Sequence, residues 1–112
     1  MKLAVSNLAW DPSSRMKAYR LMAANYITGL EIAPGFFFYG AKDPYNPDKQ
    51  TAMLACKELK DAGITIISMQ SLLFGVNSAK LFGNRAEQKV FYAAMVRAIR
   101  LAERFESNVF RC

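Results

Sequence analysis

The fold is decided by residues 62–68, AGITIIS, where a glycine separates a helical pattern from a run of β-branched residues. The residues before Gly63 place apolar side chains at helical spacing, at Ala52, Ala55, Cys56, Leu59 and Ala62. Glycine readily adopts the left-handed backbone that ends a helix, whereas isoleucine and threonine favour a strand. The stretch therefore predicts a helix that ends at Gly63 and a strand over 64–68.

The same alternation of strand and helix extends toward the amino terminus. Residues 3–6 form a short apolar run that predicts a buried strand. Residues 29–33 predict a second strand, ended by a proline and a glycine. Between the two strands, apolar residues recur at helical spacing and predict a helix over 14–25, with Ser13 or Ser14 as its cap.

The pattern also continues toward the carboxyl terminus. Asp48 is expected to cap the second helix, and Asn84 with Glu87 resembles a capping box before a third. One side of this third helix is predicted to be apolar, with Phe91, Ala94, Met95, Ala98, Ile99, Ala102 and Phe105. Residues 108–110 predict the start of a fourth strand. The order β-α-β-α-β-α-β indicates one α/β domain over residues 1–112, with parallel strands.

Composition and charge restrict the function classes. The chain has 112 residues, of which 53% are hydrophobic and 21% charged, as in a globular domain. Its net charge of +6 permits anionic partners, but the basic residues are scattered. The nearest approach to a basic patch is on the third helix, at Lys89, Arg97, Arg100 and Arg104. We interpret these residues as a solvated helix face, with a phosphate-binding stripe as the alternative.

The sequence lacks the residues that several kinds of catalysis and metal binding require. The sequence contains no histidine, which removes Ser-His-Asp and Cys-His catalysis and imidazole metal ligands. It contains no glycine-rich phosphate loop and no C-x-x-C pair. Its two cysteines, Cys56 and Cys112, are too few for a disulfide framework, and no apolar run reaches the ~20 residues of a membrane span. The predicted compartment is the cytoplasm.

Polar side chains stand at the carboxyl end of each predicted strand, where parallel α/β folds bind their ligands. Asn7 and Trp10 follow the first strand, Glu31 lies within the second, and Gln70 follows the third. The two amides both donate and accept hydrogen bonds, which suits hydroxyl recognition, and the indole ring can stack on a C–H surface. We therefore take Asn7, Trp10, Glu31 and Gln70 as candidate substrate-binding residues.

Alternatives stay open for Glu31 and for the two long loops. Glu31 either pairs with a basic or amide group such as Asn7 or Gln70, orients a substrate hydroxyl or a catalytic neighbour, or ligates a metal. Loops 36–47 and 70–83 are too aromatic for disorder. They either pack over the edge of the sheet or against another subunit, or they form a hydrophobic wall for substrate.

Three segments resemble the sugar phosphate isomerase/epimerase family, the xylose isomerase-like TIM barrels. They are residues 2–11, KLAVSNLAWD; residues 29–34, GLEIAP; and residues 67–75, ISMQSLLFG. Each segment matches a strand and its following loop, and the resemblance extends to Phe110. It implies a partial (β/α)8 barrel of three units and the start of strand four, because a whole barrel needs ~250 residues.

The resemblance also implies a function. Family members hold a divalent metal (Mn, Mg or Zn) through residues of later strands, so we assign no metal ligand and no catalytic residue here. We expect a fragment of a metal-dependent sugar or sugar-phosphate isomerase or epimerase that is inactive alone. The alternative is a non-catalytic half-barrel that self-associates through its open edges. Apurinic endonucleases share this barrel but use metal-binding histidines, which this sequence lacks, so we do not expect nucleic acid as a partner. Since no apolar run is long enough to span a membrane, we do not expect a membrane as a partner either.

Overall fold

The computed structural model describes residues 2–106 and shows three strands and four helices there. The strands are β1 (Ala4–Ser6), β2 (Gly29–Ile32) and β3 (Thr65–Met69), and the helices are α1 (Arg15–Ala24), α2 (Pro34–Phe37), α3 (Lys49–Asp61) and α4 (Arg85–Glu106). The strands form one parallel sheet in the order β1-β2-β3, which confirms the α/β class with parallel strands. The strand predicted at 108–110 lies outside the described residues.

The predicted helix ends are confirmed where a local side chain determines them. Asp48 caps α3, because its Oδ1 accepts a 2.7 Å hydrogen bond from the Thr51 amide. Asn84 and Glu87 form the capping box, each accepting from the other's backbone amide at 2.9 and 3.0 Å. Gly63 has the left-handed backbone that ends a helix, with a φ of 72°.

The predicted serine cap of the first helix is wrong. Ser14 precedes α1, but its side chain makes no capping hydrogen bond. The segment folds instead as a short 3-10 turn that is capped by Asp11, whose Oδ1 accepts from the Ser13 hydroxyl at 2.7 Å and from its amide at 2.9 Å. These two hydrogen bonds, the hydroxyl first, hold the pKa of the Asp11 carboxyl below its usual value.

The first hydrophobic core lies between the sheet and the helices. It consists of Tyr19 and Met22 from α1, Leu30 and Ile32 from β2, Leu59 from α3, and Ile64. Leu30 and Ile32 are fully buried because β2 is the central strand. β1, which the sequence predicted to be buried, is only partly so, with Ala4 exposed and Ser6 half-buried, because this strand lies at the edge of the sheet.

Helix α4 joins the molecule through a second core, formed by Phe38, Ala52, Cys56 and Leu101. Its buried residues are Ala94, Ala98 and Leu101, which follow one another at helical spacing. The prediction that Ile99 lies on the apolar side is wrong, because 58% of Ile99 is exposed, whereas Leu101 is fully buried. The stripe of α4 that packs against the core is therefore narrower than the apolar side that the sequence predicts.

Two residues of the predicted basic patch on α4 hold an earlier loop, which includes Asp43, Asn46 and Pro47, against the helix. Arg97 Nη2 lies 2.5 Å from Asp43 Oδ1, and its guanidinium lies 5.5 Å from the centre of the Tyr45 ring. Arg104 donates to Asn46 Oδ1 at 2.9 Å and to a backbone carbonyl at 3.2 Å. Intramolecular contacts thus account for these two arginines without a phosphate ligand.

The side chain of Cys56 is buried and is not free. Within residues 2–106, every helix is too short or too polar to cross a membrane.

Candidate functional site

The sheet has a second face, away from the core, which we call the open face. It comprises Ala4, Ser6, Gly29, Glu31, Thr65, Ile67 and Ser68. These residues alternate with the core residues of the strands, except that Ile67 and Ser68 are consecutive at an irregularity of β3. Ile67 is 59% exposed, although isoleucine is a residue that strands usually bury. The face is therefore open to solvent across β3.

A row of polar residues crosses the open face near the carboxyl ends of the strands. Ser6 of β1 is the register partner of Glu31 in β2, and Glu31 is the partner of Ser68 in β3. A register irregularity between Leu30 and Glu31 lets β3 skip Ile67, and this places Ser68 beside the carboxylate. Two hydroxyl groups therefore flank one carboxylate, on strands that lie about 4.8 Å apart.

Glu31 is the central member of this row and has no partner of its own. Its side chain is half-buried and makes no hydrogen bond or ion pair within residues 2–106. The predicted pairing with Asn7 or Gln70 does not occur there, because each of these amides is bonded elsewhere. Its carboxylate oxygens therefore remain available as hydrogen-bond acceptors on the open face.

Gln70 joins the two outer strands above the row. Its Nε2 donates to the Ser6 hydroxyl oxygen, and its backbone amide donates to the Ile32 carbonyl at 2.8 Å. The side chain therefore reaches from the end of β3 to the end of β1, across β2. This bridge fixes the Ser6 hydroxyl beside Glu31, so Gln70 belongs to the same site.

Asn7 has a different task. It is 4% exposed, its Oδ1 accepts from the Ala33 amide at 2.7 Å, and its Nδ2 donates to the Ala33 carbonyl at 3.3 Å. Both ends of its amide thus bind the backbone just after β2. The side chain clamps the end of β1 to the end of β2 and satisfies buried backbone groups that would otherwise have no partner.

Trp10 lies apart from the row as well. It packs against the first hydrophobic core, with its ring edge-on to Tyr19 at 6.1 Å between centroids and 88° between planes. The structure therefore places Glu31 and Gln70 at the same row, whereas Asn7 joins two strand ends by hydrogen bonds and Trp10 packs against the core.

Ser6 and Ser68 are not among the predicted binding residues. A serine at the end of an apolar strand was the available signal for both positions. The row that they form depends on the register shift in β3 and on the bridge from Gln70. Neither feature is visible in the local sequence, because both depend on which residues face one another across strands.

The two long loops pack on each other near this edge of the sheet. Phe36 contacts Phe74 with 5.3 Å between ring centroids, and the Tyr45 hydroxyl donates to the Leu72 carbonyl at 2.9 Å. These contacts agree with the packing interpretation of the loops. Phe82, in contrast, is 95% exposed.

In residues 2–106, no three histidine, cysteine, aspartate or glutamate side chains are close enough to hold an ion together. The open face offers a single carboxylate, that of Glu31.

Comparison with protein families, with curated proteins and with solved structures finds no match. A function must therefore be inferred from the chain's own residues, above all from the row of Ser6, Glu31 and Ser68.

Proposed function

We propose that this chain forms the substrate-binding side of a metal-dependent sugar or sugar-phosphate isomerase or epimerase built as a TIM barrel, and that it is inactive alone. The observation that carries the proposal is the row of Ser6, Glu31 and Ser68, bridged by Gln70. Ligands of parallel α/β folds bind at this end of the strands. The resemblance of residues 2–11, 29–34 and 67–75 to the family supports the same assignment.

The chemistry of the row suits a polyhydroxylated substrate. An ionised carboxylate only accepts hydrogen bonds, so Glu31 would take them from substrate hydroxyl groups. The Ser68 hydroxyl can both donate and accept, which matches the same property in a sugar. The Ser6 oxygen already accepts from the Leu8 amide and from Gln70 Nε2, so its hydroxyl can only donate to a ligand. A charge-assisted hydrogen bond to Glu31 stabilises a half-buried carboxylate without a protein partner more than it stabilises a fully hydrated one, because burial has already removed part of the hydration of the buried group.

The expected inactivity follows from the groups that isomerisation needs. Moving a proton next to a carbonyl requires a general base and stabilisation of the enediolate. The sequence has no histidine, and the open face has one carboxylate. We therefore expect the purified chain with Mn or Mg to produce no aldose–ketose interconversion. Turnover that copurifies with the chain and is lost in Glu31→Gln would contradict this expectation.

Sugar binding is the direct test. Amide chemical shifts are followed during titration with D-xylose and with D-glucose 6-phosphate, and we expect the largest shifts at Ser6, Glu31 and Ser68. Glu31→Gln removes the charge, and loss of one charge-assisted hydrogen bond should weaken binding at least about tenfold. Glu103→Gln, a matched change at an exposed position of α4, should leave affinity unchanged. Equal affinity in all three proteins would contradict the proposal.

A second candidate function, self-association as a half-barrel, has its own supporting observation. Ile67 is 59% exposed on the open face, and β1 and β3 each keep one unpaired edge among the described strands. Sedimentation velocity should then show species heavier than 12.6 kDa. Ile67→Asp should yield the monomer, whereas Ile99→Asp, a matched change at a 58% exposed position on α4, should not. A clean monomer of the unaltered chain at micromolar concentration would exclude this candidate.

A further inference from the structure

A cleft on the helix side of the molecule has the features of a small-molecule site. It has a volume of about 590 Å³, within the range of ligand pockets, and lies between α1, α3 and the loop after β2. Its apolar wall consists of Phe36, Phe37, Tyr39 and Leu54. The open face lies on the other side of the sheet, so this cleft and the proposed sugar site are independent.

Two rings of the wall, Phe36 and Phe37, are held in place by their neighbours. Phe38 is 1% exposed and anchors the loop in the second core, and Phe37 packs edge-on against it at 4.8 Å. Phe36 is fixed from the other side by Phe74, at 5.3 Å. The part of the wall made by Phe36 and Phe37 is therefore formed before any ligand arrives, which lowers the entropic cost of binding.

Tyr19 supplies an unused polar group in the cleft. The residue is 2% exposed and lines the cleft, yet its hydroxyl makes no hydrogen bond within residues 2–106. Burial raises the pKa of this phenol to about 12, so the hydroxyl keeps its proton at neutral pH. It is thus both a donor and an acceptor without a partner among the described residues, and it lines the cleft.

The charges near this hydroxyl already neutralise one another. Arg15 donates from Nε to Glu58 Oε2 at 2.8 Å and from Nη2 to Oε1 at 3.1 Å. A third bond joins its Nη1 to the Pro12 carbonyl at 3.1 Å. Asp11 also lines the cleft, but its carboxylate is solvent-exposed and already binds Ser13. The inner part of the cleft therefore offers no unpaired charge to an ionic ligand.

We propose that this cleft binds a neutral ring compound that carries a hydroxyl group, with its ring against Phe36, Phe37 and Leu54 and its hydroxyl on Tyr19. The ring would replace water along the apolar wall, which is the main source of binding free energy. The hydroxyl would give the Tyr19 side chain its missing partner, and this bond would provide selectivity.

Benzyl alcohol is the probe, and amide chemical shifts are the measurement. We expect shifts confined to the residues of the cleft, among them Tyr39, Gly40 and Leu54. Benzylamine and benzoate have the same ring with a positive or a negative charge, and toluene lacks the hydroxyl. All three should bind more weakly than benzyl alcohol. Tighter binding of either ion, shifts outside the cleft, or no shift at millimolar concentration would overturn the proposal.

Two variants separate binding from folding. Tyr19→Phe keeps the ring and removes the hydroxyl, and it should weaken benzyl alcohol about threefold to tenfold while leaving toluene unchanged. Leu54→Gln alters the wall at a position that is 60% exposed, so the fold should survive and all neutral ligands should bind more weakly. Tyr26→Phe is the matched control, at a ring that is 89% exposed and outside the cleft. Unchanged benzyl alcohol affinity in Tyr19→Phe would overturn the assignment.

Discussion

The two faces of the sheet use neighbouring residues of the same strands in opposite ways. Leu30 and Ile32 of β2 point to the helices and are fully buried. Glu31, between them in sequence, is half-buried on the open face and has no partner among the described residues. The alternation of side chains along a strand therefore places two core residues and one partly exposed carboxylate within three positions. The helix side should govern folding, and the open face should tolerate change.

The largest expected effect is on the helix side. Leu30→Ala should lower the free energy of unfolding by about 2–5 kcal/mol, because it leaves a cavity in the first core. Ile67→Ala, on the open face of the adjacent strand, should cost less than about 1 kcal/mol, because its side chain is mostly exposed already. Chemical denaturation of both variants measures the difference. Equal losses would contradict the division between the two faces.

The next effect tests the clamp that joins β1 to β2. Asn7→Ala should lower the free energy of unfolding by about 1–3 kcal/mol, because it leaves the buried backbone groups of Ala33 without their partners. Asn25→Ala removes a comparable side-chain bond to a helix carbonyl at an exposed position and should cost less. A loss at Asn7 no larger than that at Asn25 would show that the clamp is dispensable.

A pH titration tests the helix side without altering its packing. The pKa of Tyr19 is raised to about 12, mainly by burial, so its neutral form is favoured in the folded state. Below the unfolded pKa of about 10 this stabilisation is complete, and it is lost as the pH rises toward 12. The loss should be on the order of 1 kcal/mol by pH 11, because water in the cleft reduces the cost of ionisation. Tyr19→Phe should lack this loss of stability at high pH. Identical pH profiles of stability for the variant and the unaltered chain would contradict the prediction.

The smallest expected effect is on the open face. Glu31→Gln should change the free energy of unfolding by less than about 0.5 kcal/mol, because the carboxylate has no protein partner to lose. Its effect should instead appear in sugar affinity. A large loss of stability in this variant, measured by thermal denaturation, would show that Glu31 serves folding and would remove the main support for the sugar site.

Features that depend on neighbours in sequence could be predicted. The caps at Asp48 and at Asn84 with Glu87, and the left-handed end at Gly63, each rest on residues no more than three positions apart. Helical periodicity likewise located α3 and α4, although it placed Ile99 on the wrong side. Periodicity cannot resolve which stripe of an apolar helix faces the core, because the tilt of α4 depends on Phe38 and Ala52.

Features that depend on pairing across the chain could not be predicted. Asn7 and Ala33 are 26 positions apart, and Gln70 and Ser6 are 64 apart. The sequence shows that Asn7, Gln70 and Ser6 are polar and lie close to the ends of predicted strands. The sequence does not show that both ends of the Asn7 amide bind the backbone of Ala33, because this depends on the spacing of β1 and β2.

The order of the strands has a consequence for synthesis on the ribosome. Neighbours in the sheet are also neighbours along the chain, since β1 pairs with β2 and β2 pairs with β3. Each strand that leaves the exit tunnel therefore meets a partner that has already emerged, and β2 becomes central only once β3 arrives. Nascent folding should proceed in two steps, after Ile32 and after Met69 have emerged. Force measurements on stalled chains of increasing length would detect them, and a single late step would contradict this order.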